Sequence, residues 1–116
     1  MTYNPSEALR RIDNDTALLT MLIGVFLKER PAYCERLKQA SQAQHIDQLG
    51  DAAHNVKGAS AAIGLESARA IAAQLESLCR REDNPEAANF QRLTEELIAE
   101  LVSSETLLKQ WAAMQG

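Results

Sequence analysis

The sequence predicts an all-α protein, namely an up-down antiparallel four-helix bundle with a short additional helix at the N-terminus. Alanine, leucine, glutamate and glutamine are abundant, whereas three prolines and five glycines are the few helix breakers among 116 residues. Apolar residues recur at steps of three and four, and no apolar and polar alternation of period two occurs. Because the predicted links are short, neighbouring helices must run antiparallel. The length suits one domain over residues 1–116.

The first predicted element is a short helix near the N-terminus. Asn4 as N-cap, Pro5 at the first helical position and Glu7 as a capping-box acid predict a helix that ends at about Ile12. Residues 13–15, Asp-Asn-Asp, then break the helix and cap the next one.

The second predicted helix covers residues 16–42. Its apolar stripe consists of Leu18, Leu19, Leu22, Ile23, Phe26, Leu27, Tyr33 and Leu37. Pro31 lies inside this pattern, where it removes a backbone donor and clashes with the preceding turn. We therefore expect either a kink near Arg30 or a helix that restarts there.

Three further helices complete the predicted bundle. The third covers residues 46–63 and ends at Gly64, and the fourth covers residues 66–81. The last opens with Asn84 as N-cap followed by Pro85. Its apolar stripe consists of Phe90, Leu93, Leu97, Ile98, Leu101, Leu107, Leu108 and Trp111.

The composition argues against several classes of protein. The net charge is −4, and no basic stretch is interleaved with the two Phe, two Tyr and one Trp, so a nucleic-acid partner is not expected. No apolar run reaches the roughly 20 residues of a membrane span, and the N-terminal segment does not resemble a secretory signal. Cys34 and Cys79 are far apart and are expected to be reduced thiols. We therefore expect a cytoplasmic monomer without a membrane partner.

His54, in the third predicted helix, lies on the face opposite the core. On a helical wheel, one arc of roughly 80° contains the core-facing positions Leu49, Ala53, Val56, Ser60 and Ile63. His54 lies about 150° from the centre of that arc and should point to water. Gly50 and Gly58 lie roughly 40° to either side of it, with Ala61 close by.

The surroundings of His54 suggest a chemical role. A glycine inside a helix costs on the order of 1 kcal/mol, and Gly58, one turn after His54, would leave the imidazole open to another molecule. Lys57 places an ammonium group near the same ring. An accessible imidazole with a nearby cation can accept and donate a phosphoryl group. The alternative is an ordinary solvated histidine, with Gly58 packed against a neighbouring helix and Lys57 acting only in solubility.

The stretch AAHNVKGASAAIG, residues 52–64, resembles the signature of histidine phosphotransfer (HPt) domains of multistep two-component phosphorelays. That signature has a histidine, then a lysine three residues on and glycines four and ten residues on. His54, Lys57, Gly58 and Gly64 fill these four positions. The resemblance extends over essentially the whole chain and includes Phe26-Leu27, Asp47-Gln48-Leu49 and Leu75-Glu76.

The resemblance implies a phosphoryl carrier rather than an enzyme with its own ATP site. His54 would accept a phosphoryl group through Nε2 from a receiver-domain phospho-aspartate and pass it to another receiver aspartate. Lys57 would offset the charge on the phosphoryl oxygens, and Gly58 would keep the approach open. The implied partners are response-regulator receiver domains and a hybrid sensor kinase. Mg²⁺ is expected from the receiver domain, and this chain is expected to bind no cofactor.

The remaining positions of the segment carry weaker expectations. Gly50, Asp51 and Ala61 would border the docking surface, whereas Gly64 is expected to end the helix rather than to contact a partner. A further group should orient the other ring nitrogen of His54, but the sequence does not identify it.

Two other functions remain as alternatives. The chain could be a helical adaptor that binds receiver domains without being phosphorylated. A di-iron bundle would need a Glu-x-x-His motif on each of two helices. The sequence offers Asp51-x-x-His54 once and on the outward side, and His45 is expected to be solvated, so no metal site is predicted.

Overall fold

The computed structural model describes residues 3–83 and 86–115. Within these residues the chain forms five helices and no strand: α1 (Ser6–Arg11), α2 (Thr16–Gln42), α3 (Ile46–Ala62), α4 (Glu66–Cys79) and α5 (Ala87–Gln115). Helix α2 packs against α3 and α5, and α4 packs against the same two helices, while α1 lies against α2. The predicted four-helix bundle with a short N-terminal helix is confirmed.

The core of the bundle is aliphatic, as the apolar stripes predict. The largest fully buried apolar side chains are Leu19, Ile23, Leu37, Leu49, Val56, Ile63, Leu75, Leu97, Leu101 and Leu108. Among the described residues, three polar side chains are buried with them. Thr94 and Ser104 donate hydrogen bonds to carbonyls of their own helix, whereas the hydroxyl of Ser60 has no partner in this part of the chain.

Helix α1 begins one residue later than expected, at Ser6, and ends at Arg11. The side chain of Asn4 does accept a hydrogen bond from the Ser6 backbone N–H, at 3.1 Å. The prediction of Glu7 as a capping-box acid is wrong, because its carboxylate pairs with Arg10 one turn further along the same helix. Two exposed side chains of one short helix thus satisfy each other instead of the backbone.

Helix α2 has the predicted bounds, and its predicted N-cap is formed. Asp15 accepts a hydrogen bond from the Leu18 backbone N–H at 3.0 Å. The helix continues through Pro31, so the alternative of a restart near Arg30 does not occur. Side chains on both sides of the proline make contacts in the bundle: Arg30 pairs with Glu105 of α5 at 3.0 Å, and Tyr33 packs against Phe26.

The ends of α3 and α4 differ from the predictions by one and two residues. Helix α3 ends at Ala62, and Gly64 follows with φ +72°, a left-handed conformation that glycine adopts at little cost. Helix α4 ends at Cys79 rather than at residue 81. Arg80 and Arg81 leave the helical pattern and pair with Asp51 and Asp83, respectively.

The predicted N-cap of the last helix, Asn84 with Pro85, lies outside the described residues. Helix α5 itself runs over 29 residues and buries most of the predicted stripe from Phe90 to Leu108, whereas Ile98 and Leu107 are half-buried. Cys34 and Cys79 are both free thiols, and burial raises the pKa of both, to about 11 for Cys79.

Candidate functional site

His54 lies in the middle of α3 with 62% of its side chain exposed. The opposite side of the same helix is buried at Leu49, Ala53, Val56 and Ser60. The helical periodicity that sends those four residues into the core therefore turns the imidazole outward, as the wheel predicts. The ring is therefore held at the surface by a helix whose opposite face is packed in the core.

The Nδ1 atom of His54 lies 2.7 Å from the Oε2 atom of Glu76, on α4. Only 17% of the Glu76 side chain is exposed, so the carboxylate lies in the groove between the two helices. Because an ionised carboxylate can only accept hydrogen bonds, Nδ1 must be the donor. In the neutral ring the lone pair then lies on Nε2, the atom on the opposite side of the ring from Glu76.

Lys57 binds the other oxygen of the same carboxylate. Its Nζ atom donates to Oε1 of Glu76, and about a third of the lysine side chain is exposed. The hydrogen bond from this ammonium group is the main reason that the pKa of Glu76 lies below its usual value; burial opposes the shift, and the His54 contact adds to it. The Glu76 carboxylate thus binds both the His54 imidazole and the ammonium group of Lys57, three residues after His54.

Gly58 faces open space. A Cβ atom built on this residue would meet no atom within 4 Å other than its own helix. The alternative explanation, in which Gly58 is needed for packing against a neighbouring helix, therefore has no support in this structure. The missing side chain leaves bare backbone one turn from His54.

Gly50 is buried, although the wheel places it beside His54 in an exposed arc. The guanidinium group of Arg80 covers it from the C-terminal end of α4, and a Cβ atom on Gly50 would lie 2.8 Å from the Arg80 Cζ atom. The same guanidinium pairs with Asp51 at 2.8 Å, and Asp51 itself is exposed. A wheel of α3 alone contains no information on long side chains from its neighbours, and this is why it misplaces Gly50.

Ala61 and Gly64 lie at the C-terminal end of α3, against the N-terminal segment. Arg11 donates to the Ala61 carbonyl at 2.7 Å, and Tyr3 donates to the Ile63 carbonyl. The Ala61 carbonyl also accepts a hydrogen bond from the Gly64 backbone N–H, so the bond from Arg11 is an additional one. Gly64 packs closely on α1, since a Cβ atom there would lie 3.1 Å from that of Ala8.

Two residues of the site do not follow from the sequence patterns. Glu76 belongs to the Leu75-Glu76 pair, but only the register of α4 against α3 shows that it meets His54 and Lys57. Arg80 lies in a charged stretch typical of a solvated helix end, and the structure instead places it across α3 at Gly50. His45, the other histidine, is exposed near the start of α3, and its Nδ1 lies 3.4 Å from Oε1 of Gln48.

Neither a metal site nor a membrane span is found in residues 3–83 and 86–115. No group of three or more His, Cys, Asp or Glu side chains in this part of the chain could hold a metal ion. In the same residues, every helix is too short or too polar to cross a bilayer.

The fold and the site together define a helical bundle that presents His54 on its surface, with Nδ1 bound to Glu76 and Nε2 on the opposite side of the ring. The family model of the Hpt domain matches residues 21–104 of the chain. The fold is similar to that of the HPT domain from the Hpt sensor hybrid histidine kinase of Shewanella, with a TM-score of 0.83. That match has 20% sequence identity and covers 97% of this chain and 94% of the other. No curated protein gives a significant match.

The chain therefore belongs to the Hpt domain family. Members of this family are phosphotransfer carriers of phosphorelays in two-component signalling, and the chain has such a role.

Proposed function

We propose that this protein carries a phosphoryl group on Nε2 of His54, taken from the phospho-aspartate of one receiver domain and passed to the aspartate of another. The observation that carries the proposal is the hydrogen bond between His54 Nδ1 and Glu76, which leaves the lone pair on the exposed side of the ring. A receiver domain can approach that side, because Gly58 leaves the adjoining backbone uncovered.

Transfer to His54 is a substitution at phosphorus. The Nε2 lone pair forms the new bond to phosphorus while the bond to the aspartate oxygen breaks, and that aspartate leaves as a carboxylate. The ring gains positive charge because Nδ1 still carries its proton. Glu76 accepts a hydrogen bond from this proton and stabilises the charged ring. Transfer to the second receiver reverses these steps.

Lys57 contributes the positive charge on the C-terminal side of the ring. Its ammonium group is already fixed beside His54 by Glu76, so little further ordering is needed when a phosphoryl group arrives. In the proposed carrier, this charge offsets part of the negative charge of the phosphoryl oxygens.

The Mg²⁺ ion of the reaction is expected from the receiver domain. Mg²⁺ prefers carboxylate and water oxygens, and the carboxylate in contact with His54 is already bound by a lysine and the imidazole. The partners we propose are response-regulator receiver domains and a hybrid sensor kinase. The proposed carrier acts as a cytoplasmic monomer without an ATP site of its own. Gly50, Asp51 and Ala61 are proposed to border the docking surface, Gly50 through its backbone beneath Arg80.

The test is a transfer screen with a panel of phosphorylated receiver domains in the presence of Mg²⁺. The wild type should acquire one phosphate that is labile in acid and stable in base, and a second receiver should remove it. His54→Gln should acquire none, whereas His45→Gln, the matched control at the other histidine, should behave as the wild type. Receiver binding without any label on the protein would support the adaptor alternative and contradict the proposal.

A further inference from the structure

The guanidinium group of Arg80 lies against α3 one helical turn before His54. It passes so close to Gly50 that a Cβ atom there would come within 2.7 Å of Nη1 and 2.8 Å of Cζ. Any side chain larger than hydrogen would force the arginine away. Glycine costs about 1 kcal/mol relative to alanine inside a helix, so this close approach comes at the expense of helix stability.

His54 lies one helical turn after Gly50, where the Arg80 guanidinium crosses α3. Side chains of an α-helix point back towards its N-terminus, so the His54 ring lies over the turn that contains Gly50 and Asp51. Residues four apart have their Cβ atoms about 6 Å from each other. We therefore expect a phosphoryl group on Nε2 to come within reach of the Arg80 guanidinium on the N-terminal side of His54, with Lys57 on the C-terminal side.

The present partner of Arg80 holds it only weakly. Asp51 accepts a hydrogen bond from Nη2 at 2.8 Å, but 74% of the Asp51 side chain and 44% of the Arg80 side chain are exposed. Exposed ion pairs of this kind contribute little to stability. A phosphoryl group carries more negative charge than a carboxylate and offers three oxygens to the planar guanidinium. We therefore expect the Arg80 guanidinium to pair more strongly with a phosphoryl group than with Asp51.

We propose that Arg80 is a second phosphoryl-binding cation of this protein. Its guanidinium group crosses Gly50 to pair with Asp51 in the unphosphorylated protein and pairs with the phosphoryl oxygens when His54 is phosphorylated. This inference rests on the proposed function, because it assumes that His54 is the phosphorylated residue. It assigns to Gly50 a role that differs from that of Gly58. Gly50 gives Arg80 a path across α3, whereas Gly58 leaves a path for the partner.

The experiment uses potassium phosphoramidate as the phosphoryl donor, so that no receiver domain is needed. In this reaction the bond between Nε2 and phosphorus forms, the P–N bond of the donor breaks, and ammonia leaves. Labelling of His54 should be about three- to tenfold slower in Arg80→Gln than in the wild type. Arg81→Gln is the matched control, because Arg81 is the next residue, has the same charge and pairs with Asp83 instead.

Gly50→Ala provides a second variant that keeps the charge of Arg80 and changes only its position. The added methyl group should displace the guanidinium and slow labelling, while circular dichroism stays helical. In the wild type, the Nε–H resonance of Arg80 should also shift when His54 is phosphorylated, and that of Arg81 should not.

The inference is overturned if Arg80→Gln is labelled as fast as Arg81→Gln, or if the Arg80 resonance does not respond. No labelling of the wild type by phosphoramidate would also count against it, because the proposed anion-binding surface would then be absent. If receiver transfer is normal but neither the Arg80→Gln labelling rate nor the Arg80 resonance changes, only the inference about Arg80 is contradicted and the proposed function is unaffected. Failure of receiver transfer with normal phosphoramidate labelling would contradict the proposed function instead.

Discussion

Oε2 of Glu76 accepts a hydrogen bond from Nδ1 of His54 across the groove between α4 and α3, at 2.7 Å. The same carboxylate binds Lys57, so one partly buried acid of α4 contacts both His54 and Lys57 of α3. In the proposed carrier, the packing of these two helices therefore decides which ring nitrogen is left for the phosphoryl group.

Replacement of Glu76 should disturb the tautomer of His54. In Glu76→Gln the side-chain amide can accept from Nδ1 or donate to it, so the preference for a proton on Nδ1 is weakened. We expect transfer from a phosphorylated receiver to fall about tenfold, by analogy with other carboxylates that orient a functional histidine. Nitrogen NMR of the ring should show a mixture of tautomers. Glu66→Gln, at an exposed acid that pairs with Arg69, is the control. An unchanged tautomer in Glu76→Gln would contradict this role.

Gly58 should matter for access and not for folding. Gly58→Leu should keep the helical circular dichroism but slow receiver transfer about tenfold or more, because the side chain would occupy the approach to the ring. Gly24 is the matched control, since it is also helical and a Cβ atom added to it would also meet nothing within 4 Å. Gly24→Leu should transfer at the wild-type rate. Equal rates for the two variants would show that the open backbone has no role.

Loss of Lys57 should be less severe than loss of His54. Lys57→Ala removes a cation but leaves the nucleophile in place, so we expect transfer to fall about three- to tenfold. His54→Gln should abolish it. The comparison requires single-turnover rates with one receiver at a fixed Mg²⁺ concentration. Equal losses in the two variants would mean that the nucleophile has been assigned to the wrong residue.

The contact between Lys57 and Glu76 should depend on pH in a defined direction. Lys57 lowers the pKa of Glu76 from its usual value of 4.5 in the folded protein. The stabilisation is therefore complete above about pH 4.5 and is lost as the pH falls through the folded-state pKa. In a His54→Gln background, Glu76→Gln should lower the unfolding free energy at neutral pH, and the difference should shrink in acid. A difference that grows in acid would contradict the assignment.

Ser60 should limit the stability of the bundle. Its hydroxyl is fully buried and lacks a hydrogen-bond partner. Ser60→Ala should therefore raise the unfolding free energy by about 1 kcal/mol, measured by urea denaturation. Ser104→Ala is the control, because the equally buried hydroxyl of Ser104 donates to the Leu101 carbonyl at 2.9 Å. That variant should be no more stable than the wild type. A less stable Ser60→Ala protein would show that the hydroxyl is satisfied.

Local sequence patterns predict much of this fold. The N-cap Asp15 marks the start of α2, and Gly64 marks the end of α3, because both act through their own neighbouring backbone. The outward orientation of His54 follows in the same way from the periodicity of one helix. At Arg80 such reasoning fails, since its contacts are with Gly50 and Asp51 on another helix.

In the candidate site, too, the residues of one helix could be predicted and those of the neighbouring helix could not. His54, Lys57 and Gly58 lie within five residues of one another, so a single helix brings them together. Glu76 is 22 residues from His54, and its contact depends on how α3 and α4 are aligned. The sequence shows that an orienting group is needed, but a wheel of one helix cannot identify a residue on its neighbour.

Nε2 of His54 is proposed to receive the phosphoryl group because Glu76 holds the proton on Nδ1, and the other proposals depend on this assignment. The most direct test is NMR of ¹⁵N-labelled protein phosphorylated by a receiver domain, with phosphorus coupling used to locate the bond. We predict that phosphorus is coupled to Nε2 of His54. Phosphorus on Nδ1, on His45 or on a carboxylate would contradict the proposal.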